Sequence, residues 1–370
     1  VGEPVNRIEG PIRVGVVGCG HIVEQYLQTL PRLDDVSFVA AADLDAERAA
    51  AVAARVPGAR SLSVDELMAA EDVDVVLNLT IPAAHHEIAM RAIRAGKHVY
   101  GEKPLTADTA SGREVLEAAA AAGVAVGCAP DTVLGAGTQT ARRAIDDGLI
   151  GRPVAASATM VTAGHERWHP NPDFYYRPGG GPLLDMGPYY VSALITLLGP
   201  VVSAVGAASA LRDARTIGSG ARAGEVIPVV DVDTHVTGVL VHASGALSTL
   251  VMSFDAVASR ASNIEVHGTD GSLVVPDPNR FDGEVALWRL GGEAWEPLAA
   301  SAGYLEGGRG IGLQDLAATR GRPRASGELA FHALDVMESL LRAAREGQAV
   351  AVGSTCERPE PVPLTDLGAR

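Results

Sequence analysis

Ile12-Arg13-Val14-Gly15-Val16-Val17, followed at once by Gly18-Cys19-Gly20-His21-Ile22-Val23, is the stretch on which the fold of this chain turns. Ile12 to Val17 has the apolar run of a strand buried on both faces. Gly18 and Gly20 permit a tight turn and let backbone approach a pyrophosphate closely. A helix from about His21 to Leu30 would add N–H groups and the positive end of its dipole. Val23 stands where a third glycine would complete the pattern, which sets helix and strand slightly further apart.

The next strand, Val36 to Ala42, ends in Asp43, where a carboxylate can accept bonds from the ribose hydroxyls of an adenosine. A carboxylate there repels the extra phosphate of NADP, so NAD is the expected cofactor and NADP is disfavoured. Asp45 is read as the N-cap of a helix to Arg55. Strand and helix then alternate: strand Val73 to Leu79, helix Ala83 to Ala95 with Ile88, Ala92 and Ala95 on one side, strand His98 to Gly101, helix Asp108 to Ala122, strand Val124 to Cys128. These are βα units of a doubly wound sheet.

With 370 residues the chain is long enough for two domains. Its formal charge of -15 argues against nucleic acid or an anionic membrane as partner. Cys19, Cys128 and Cys356 form no C-x-x-C pair, which suits a reducing cytoplasm and excludes a disulfide framework. No apolar run approaches the roughly 20 residues of a membrane span, and no signal-peptide pattern opens the chain. Residues 1–10 read as a loose leader, with the missing Met suggesting processing. The expected division is a nucleotide-binding domain over residues 11–130, a linking segment over 131–153 with a helix Thr140 to Asp147, and an α+β domain over 154–370.

From Val154 the hydrophobic period changes to that of strands. Val154 to Val161 is one; Asp233 to His242 and Ala246 to Phe254 flank a hairpin turn at Ser244-Gly245; Asn263 to His267 and Ser272 to Val275 flank another at Thr269-Asp270-Gly271. The expectation is an open, mostly antiparallel sheet. Ala330, Ala333, Leu334, Met337, Leu340, Leu341 and Ala344 mark one amphipathic helix, with Ser326 as its N-cap, closing the chain.

Two stretches carry candidate chemistry. Glu102-Lys103-Pro104 stops the strand His98 to Gly101 and puts a cation beyond its carboxyl end, where open parallel sheets bind ligands. Gly179-Gly180-Gly181-Pro182-Leu183-Leu184-Asp185-Met186-Gly187-Pro188-Tyr189 leads into an apolar helix, Val191 to Leu198. Pro188 cannot donate a helical bond, so the helix is expected to begin no earlier than about Asp185, with Asp185 and Tyr189 one turn apart on one face. Either Asp185 caps the helix and Tyr189 fills the core, or the side-chain-free loop flanks a ligand.

These motifs, with Thr80-Ile-Pro-Ala-Ala-His85 and Ala95-Gly-Lys-His-Val-Tyr-Gly-Glu-Lys-Pro104 in order after the glycine loop, resemble the glucose-fructose oxidoreductase and inositol dehydrogenase family, Gfo/Idh/MocA. The resemblance implies a Rossmann domain followed by an open, largely antiparallel sheet that lines the substrate pocket and builds homodimers or homotetramers. It implies cofactor contacts at Gly18, Gly20, His21, Ile22, Asp43, Thr80, Pro82, His85, Glu102 and Lys103, and a catalytic set of Lys103, Asp185 and Tyr189. Many members carry His where this chain has Tyr189, and a second Asp where it has Ser192. Glucose-fructose oxidoreductase and the dimeric dihydrodiol dehydrogenases have Tyr at the first place. A tyrosine is a poor base near neutrality unless an ammonium stabilises its phenolate. Lys103 could do that or stabilise the alkoxide itself, with Asp185 holding the lysine charged.

His165-Glu166-Arg167-Trp168-His169 matches the H-E-x-x-H zinc signature. Gly164 before it and Pro170 and Pro172 after it oppose the helix that zinc chemistry needs, and no third ligand follows. No metal is expected. An exposed loop is the plain alternative; the aromatic run to Tyr176 favours a cover for the pocket, with His165, Trp168, His169 and Tyr189 contacting substrate. Arg320 to Arg324 reads as a solvated loop or a clasp for an anion. The sequence thus describes a cytoplasmic, NAD-dependent dehydrogenase or reductase for a secondary alcohol of a sugar, glycoside or cyclitol. An aromatic dihydrodiol substrate and a non-catalytic NAD-binding regulator are the alternatives.

Overall fold

The apolar run at the start of the chain forms the central strand of a parallel sheet in the computed structural model, which describes residue 8 and residues 10–368. The leader expected over residues 1–10 falls, apart from Ile8 and Gly10, outside the described residues. Two compact units divide the chain: one of residues up to 136, 303–331 and from 362 on, the other of residues 137–302 and 332–361.

In the first unit the elements alternate as β1 (Ile12–Val17), α1 (Val23–Thr29), β2 (Val36–Ala42), α2 (Ala46–Ala53), β3 (Arg60–Leu62), α3 (Val64–Ala69), β4 (Val75–Asn78), α4 (Pro82–Arg94), β5 (His98–Gly101), α5 (Thr109–Ala122) and β6 (Val126–Cys128). All neighbours pair parallel in the order β3-β2-β1-β4-β5-β6, so the strand order reverses between β1 and β4. Ligands bind at that switch point in open sheets of this kind. Local chemistry sets the helix ends. Asp45 caps α2 by accepting from the amides of Glu47 and Arg48, and Asp108 caps α5 through Ser111. Ser63 and Glu66 form a reciprocal capping box on α3. The first helix starts later than the pattern suggests, at Val23, because residues 21–22 are still in a turn. The fourth ends at Arg94, leaving Ala95 exposed.

A helix, α6 (Ala136–Asp146), leads into the second unit, which holds β7 (Pro153–Val161), α7 (Gly181–Leu198), β8 (Val201–Ser209), β9 (Ala214–Thr216), β10 (Val226–Pro228), β11 (His235–His242), β12 (Leu247–Ser253), β13 (Ile264–Gly268), β14 (Gly271–Val275), β15 (Val285–Arg289) and β16 (Glu296–Leu298). Then come β17 (Tyr304–Leu305), α8 (Ile311–Ala318), α9 (Gly327–Glu346), β18 (Val350–Ala351) and β19 (Thr365–Asp366). Among the described residues a nine-stranded sheet runs β16-β15-β14-β13-β7-β12-β11-β8-β18. It is antiparallel except for β7 beside β12. Both expected hairpins are present, and Ser326 caps α9 by accepting from Leu329.

The sheet has two unlike faces, as period-two strands require. Across one row, Ala204, Leu240, Ser248, Ala156, Val266, Leu273 and Leu287 stand side by side, all buried. One residue over, Val205, Val239, Thr249, Ser157, Glu265 and Val274 form the opposite row, and none of these is buried.

Two expectations are corrected here. The second domain does not take all of residues 154–370. Segment 303–331 returns to the first unit, where β17 pairs with β19, Gly127 bridges Ser326, and Cys128 donates its amide to Ala325. Helix α7 begins at Gly181, four residues before the earliest expected start, with Pro182 in its first turn and Pro188 inside it. The proline removes one donor, yet fifteen of the eighteen residues of α7 are buried, and that packing outweighs one missing bond.

Candidate active site

The glycine loop after β1 is shaped by its own neighbours. Gly18 has φ +101, and a Cβ there would lie 2.6 Å from the backbone of Leu79. Its amide donates to Ala42 and the amide of Leu79 to Val17, so the loop is pinned between the ends of β2 and β4. Gly20 faces open space. Among the described residues the amides of Gly20, His21 and Ile22 make no hydrogen bond. That cradle fits a pyrophosphate, which needs donors and no side chain in its way.

Asp43 closes the loop from the other side: Oδ2 accepts the Cys19 amide at 2.7 Å and Oδ1 the Asp45 amide at 2.9 Å. Each oxygen keeps a further lone pair for a ribose hydroxyl. Burial and the Asp43 charge push the Cys19 thiol up to about 12, so it stays neutral. Sequence reasoning missed the two exposed hydrophobes that flank this place, Leu44 at 102% and Ile81 at 70% exposure. Leu44 lies two residues past the end of β2 and Ile81 three past the end of β4, and Leu44 between Asp43 and Asp45 was the visible signal. A flat apolar ring such as adenine suits them.

The Thr80 and Glu102-Lys103-Pro104 loops are tied together by His85, which is buried on α4 rather than capping it. Its Nδ1 lies 2.6 Å from the Pro104 carbonyl and its Nε2 3.0 Å from that of Thr80. Burial holds its pKa down, against the pull of those two carbonyls. Thr80 donates Oγ1–H to Asn78, whose amide reaches the His85 carbonyl, and Pro82 starts the helix. Glu102 accepts the Tyr26 phenol at 2.9 Å on one oxygen and the Lys103 amide at 3.1 Å on the other. The Lys103 turn is therefore braced from within its own unit. His86 pairs with Glu114 at the surface.

In the second unit Asp185 and Tyr189 lie one turn apart on α7. Tyr189 is buried and Asp185 half-buried. The three glycines that precede them serve fit as much as freedom. A Cβ on Gly180 would sit 2.4 Å from the Phe174 carbonyl, and one on Gly181, at φ +87, 2.7 Å from that of Asp233. The His165 segment is no exposed loop. His165, Glu166 and Arg167 form one 3-10 turn in which His165 and Glu166 are buried. His165 Nδ1 lies 3.3 Å from Asp185 Oδ2. Glu166 accepts the Tyr176 phenol and pairs with Arg215 at 3.6 Å; Arg215 also pairs with Asp255. This acid is committed to a buried ionic ladder, which bars it from acting as the base of a zinc peptidase. Among the described residues no group of three His, Cys, Asp or Glu is placed to hold a metal. Trp168 and Phe174, at 58% and 55% exposure, each meet His169 edge to face. Within the 320–324 run, Arg324 is paired with the buried Asp315 of its own chain, and Arg320 and Arg322 are exposed.

Comparison with known proteins agrees with this geometry. Residues 12–129 match the family model described as an oxidoreductase family with an NAD-binding Rossmann fold, and residues 138–274 match that of the GFO/IDH/MocA C-terminal domain. A 1,5-anhydro-D-fructose reductase of Ensifer adhaerens is 30% identical over 358 residues, covering 92% of this chain and 98% of the relative. A myo-inositol 2-dehydrogenase of Thermotoga maritima is 29% identical over 264 residues, 71% and 74% of the two chains. The crystal structure of an NAD binding oxidoreductase from Klebsiella pneumoniae shares the fold, with a TM-score of 0.80 at 24% identity, covering 93% and 99% of the two chains. Nucleotide cradle, mixed-sheet unit and near end-to-end alignment agree, and the chain is an NAD-binding oxidoreductase of the Gfo/Idh/MocA family.

Proposed function

We propose that this oxidoreductase moves a hydride between NAD and a secondary alcohol of a sugar, glycoside or cyclitol, with Lys103, Asp185 and Tyr189 handling the proton. The observation that carries the reading is the near end-to-end alignment with a sugar reductase, in a chain that has Lys103, Asp185 and Tyr189. Bound NAD supplies the hydride acceptor at its nicotinamide. Lys103 stabilises charge on the substrate oxygen or on the Tyr189 phenolate; Asp185 keeps the ammonium charged; Tyr189 takes up or returns the hydroxyl proton. Gly18, Gly20, His21 and Ile22 hold the pyrophosphate, Asp43 the ribose, and Leu44 and Ile81 the adenine. Thr80, Pro82, His85 and Glu102 shape the cofactor side. Trp168, His169 and Tyr189 meet the sugar, whose apolar ring faces suit aromatic rings. His165 acts at the same place.

The uncovered row of the nine-stranded sheet, with Val205, Val239 and Val274 beside Thr249, Ser157 and Glu265, supports assembly into homodimers or homotetramers through that face. No helix is long and apolar enough to cross a membrane among the described residues.

The test is nicotinamide absorbance with NAD or NADP and a panel of hexoses, anhydrosugars, inositols and aromatic diols. Reduction of NAD that falls about 100-fold or more in Lys103→Ala and in Tyr189→Phe is the expected result. NADH binding without turnover on any substrate would favour a sensing role. A preference for NADP would overturn the part given to Asp43.

A further inference from the structure

His165 is 7% exposed and boxed by rings, with centroids of Trp168 at 5.1 Å, Tyr175 at 4.9 Å and Phe254 at 4.4 Å. Its Nδ1 is buried without an aligned hydrogen-bond partner, and the acceptor within reach is Asp185 Oδ2 at 3.3 Å. A buried polar atom left unmade is costly, and a rotation of the carboxylate closes this contact. The other acid of the turn does not compete for the ring, since Glu166 is held by Tyr176 and Arg215. The turn itself is fixed rather than mobile. Gly218 donates its amide to the Glu166 carbonyl, Ser219 donates to that of Trp168, and Thr234 and Arg215 converge on Asp255.

We propose that His165 is a positioning residue of the site: through Nδ1–H it holds one oxygen of Asp185 and so turns the other toward the reacting groups. This rests on Asp185 belonging to the catalytic set. The arrangement gives α7 a partner for its carboxylate from a separate, rigid turn, so the orientation of Asp185 does not depend on the helix alone. Facing the ring are Asp185 from α7, Trp168 from the end of its own turn, Tyr175 from the turn of residues 173–176 and Phe254 just past β12. Arg215 and Asp255 stand one layer further out, bonded to Glu166 and to each other. Asp185 Oδ2 can only accept, so Nδ1 meets it favourably only as a donor.

Two substitutions separate this role from packing. His165→Phe keeps a ring in the aromatic box and deletes the donor; His165→Asn keeps an N–H near the Nδ1 position and deletes the ring. In steady-state assays with NAD and the substrate found active, His165→Phe is expected to lower kcat about 10- to 100-fold with KM for NAD within a factor of about two, while His165→Asn keeps kcat within about fivefold. In parallel, histidine 15N NMR of the full chain should show His165 protonated at Nδ1, and that signature should vanish in Asp185→Ala. Wild-type kcat in His165→Phe, equal damage in both variants, or a tautomer indifferent to Asp185→Ala would each overturn the proposal while leaving the dehydrogenase standing. A wild-type protein that binds NADH yet turns over no substrate overturns both.

Discussion

Asp131 shows how a single group can work against its own fold. It is fully buried, it accepts the amides of Gly310 and Gly312 at 2.8 and 3.2 Å, and Arg309 lies 3.9 Å away. Burial and the nearby Glu102 charge outweigh those partners and raise its pKa to about 6. The folded state therefore holds this proton more tightly than the unfolded chain does. The stability it contributes is complete below about pH 4 and is lost as pH rises through about 6, a change on the order of 2–3 kcal/mol. Asp131→Asn cannot titrate. Its stability relative to wild type should improve by about that amount between about pH 4 and pH 7, read from urea denaturation across the range. A difference that stays flat with pH would show that the carboxyl ionises unhindered. None of this was legible in the sequence, because the partners of Asp131 stand 179 and 181 residues away. Asp43 and Lys103 were legible for the opposite reason: each ends a strand whose pattern is local, and the sheet carries such ends to its ligand edge.

Among the elements, α7 is where a local rule misled. Pro188 argues for a late start, and on propensity alone it would win. The helix starts at Gly181 because backbone from two other segments presses on Gly180 and Gly181, and because fifteen of its residues are buried. Such contacts are with residues outside α7, Phe174 and Asp233, whereas β1, β2, β4 to β7 and β11 to β14 announced themselves through period and turn residues, and β8, β15 and the short strands did not. The three glycines should then differ in their tolerance. Gly179 has φ +86 but nothing within 4 Å of a Cβ, so Gly179→Ala should cost only the left-handed penalty, about 1–2 kcal/mol. Gly181→Ala carries the same penalty and also drives a methyl to 2.7 Å from the Asp233 carbonyl. Its cost should reach about 3 kcal/mol or more, and by shifting the first turn of α7 it should lower kcat as well. Parallel denaturation and kinetics on the two variants check this; equal losses would mean that the close approach to Asp233 carries no weight.

At the scale of the whole molecule the chain does not finish its nucleotide-binding unit before starting the next. The sequence pattern ends that unit near residue 130, since alternation of strand and helix stops there and the later segments resemble ordinary loop and helix. Yet Ile311, Leu313 and Leu316 of α8 are fully buried, and they belong to the first unit with Asp131 and Tyr100. A Cβ on Gly312 would fall within 2 Å of the Tyr100 hydroxyl, a measure of how closely the returning segment lies on β5. Burying those three side chains is worth roughly 5–9 kcal/mol, comparable to the entire stability of an ordinary domain. A fragment ending at residue 136 would expose their binding surface and strip Asp131 of both backbone donors. It should therefore be molten or insoluble and bind NADH weakly. Adding a peptide of residues 303–331 in trans should restore a cooperative urea transition and NADH fluorescence enhancement. A fragment of residues 10–136 that melts cooperatively and binds NADH on its own would show that the returning segment is decoration, and that the sequence pattern had marked the true limit of the folding unit.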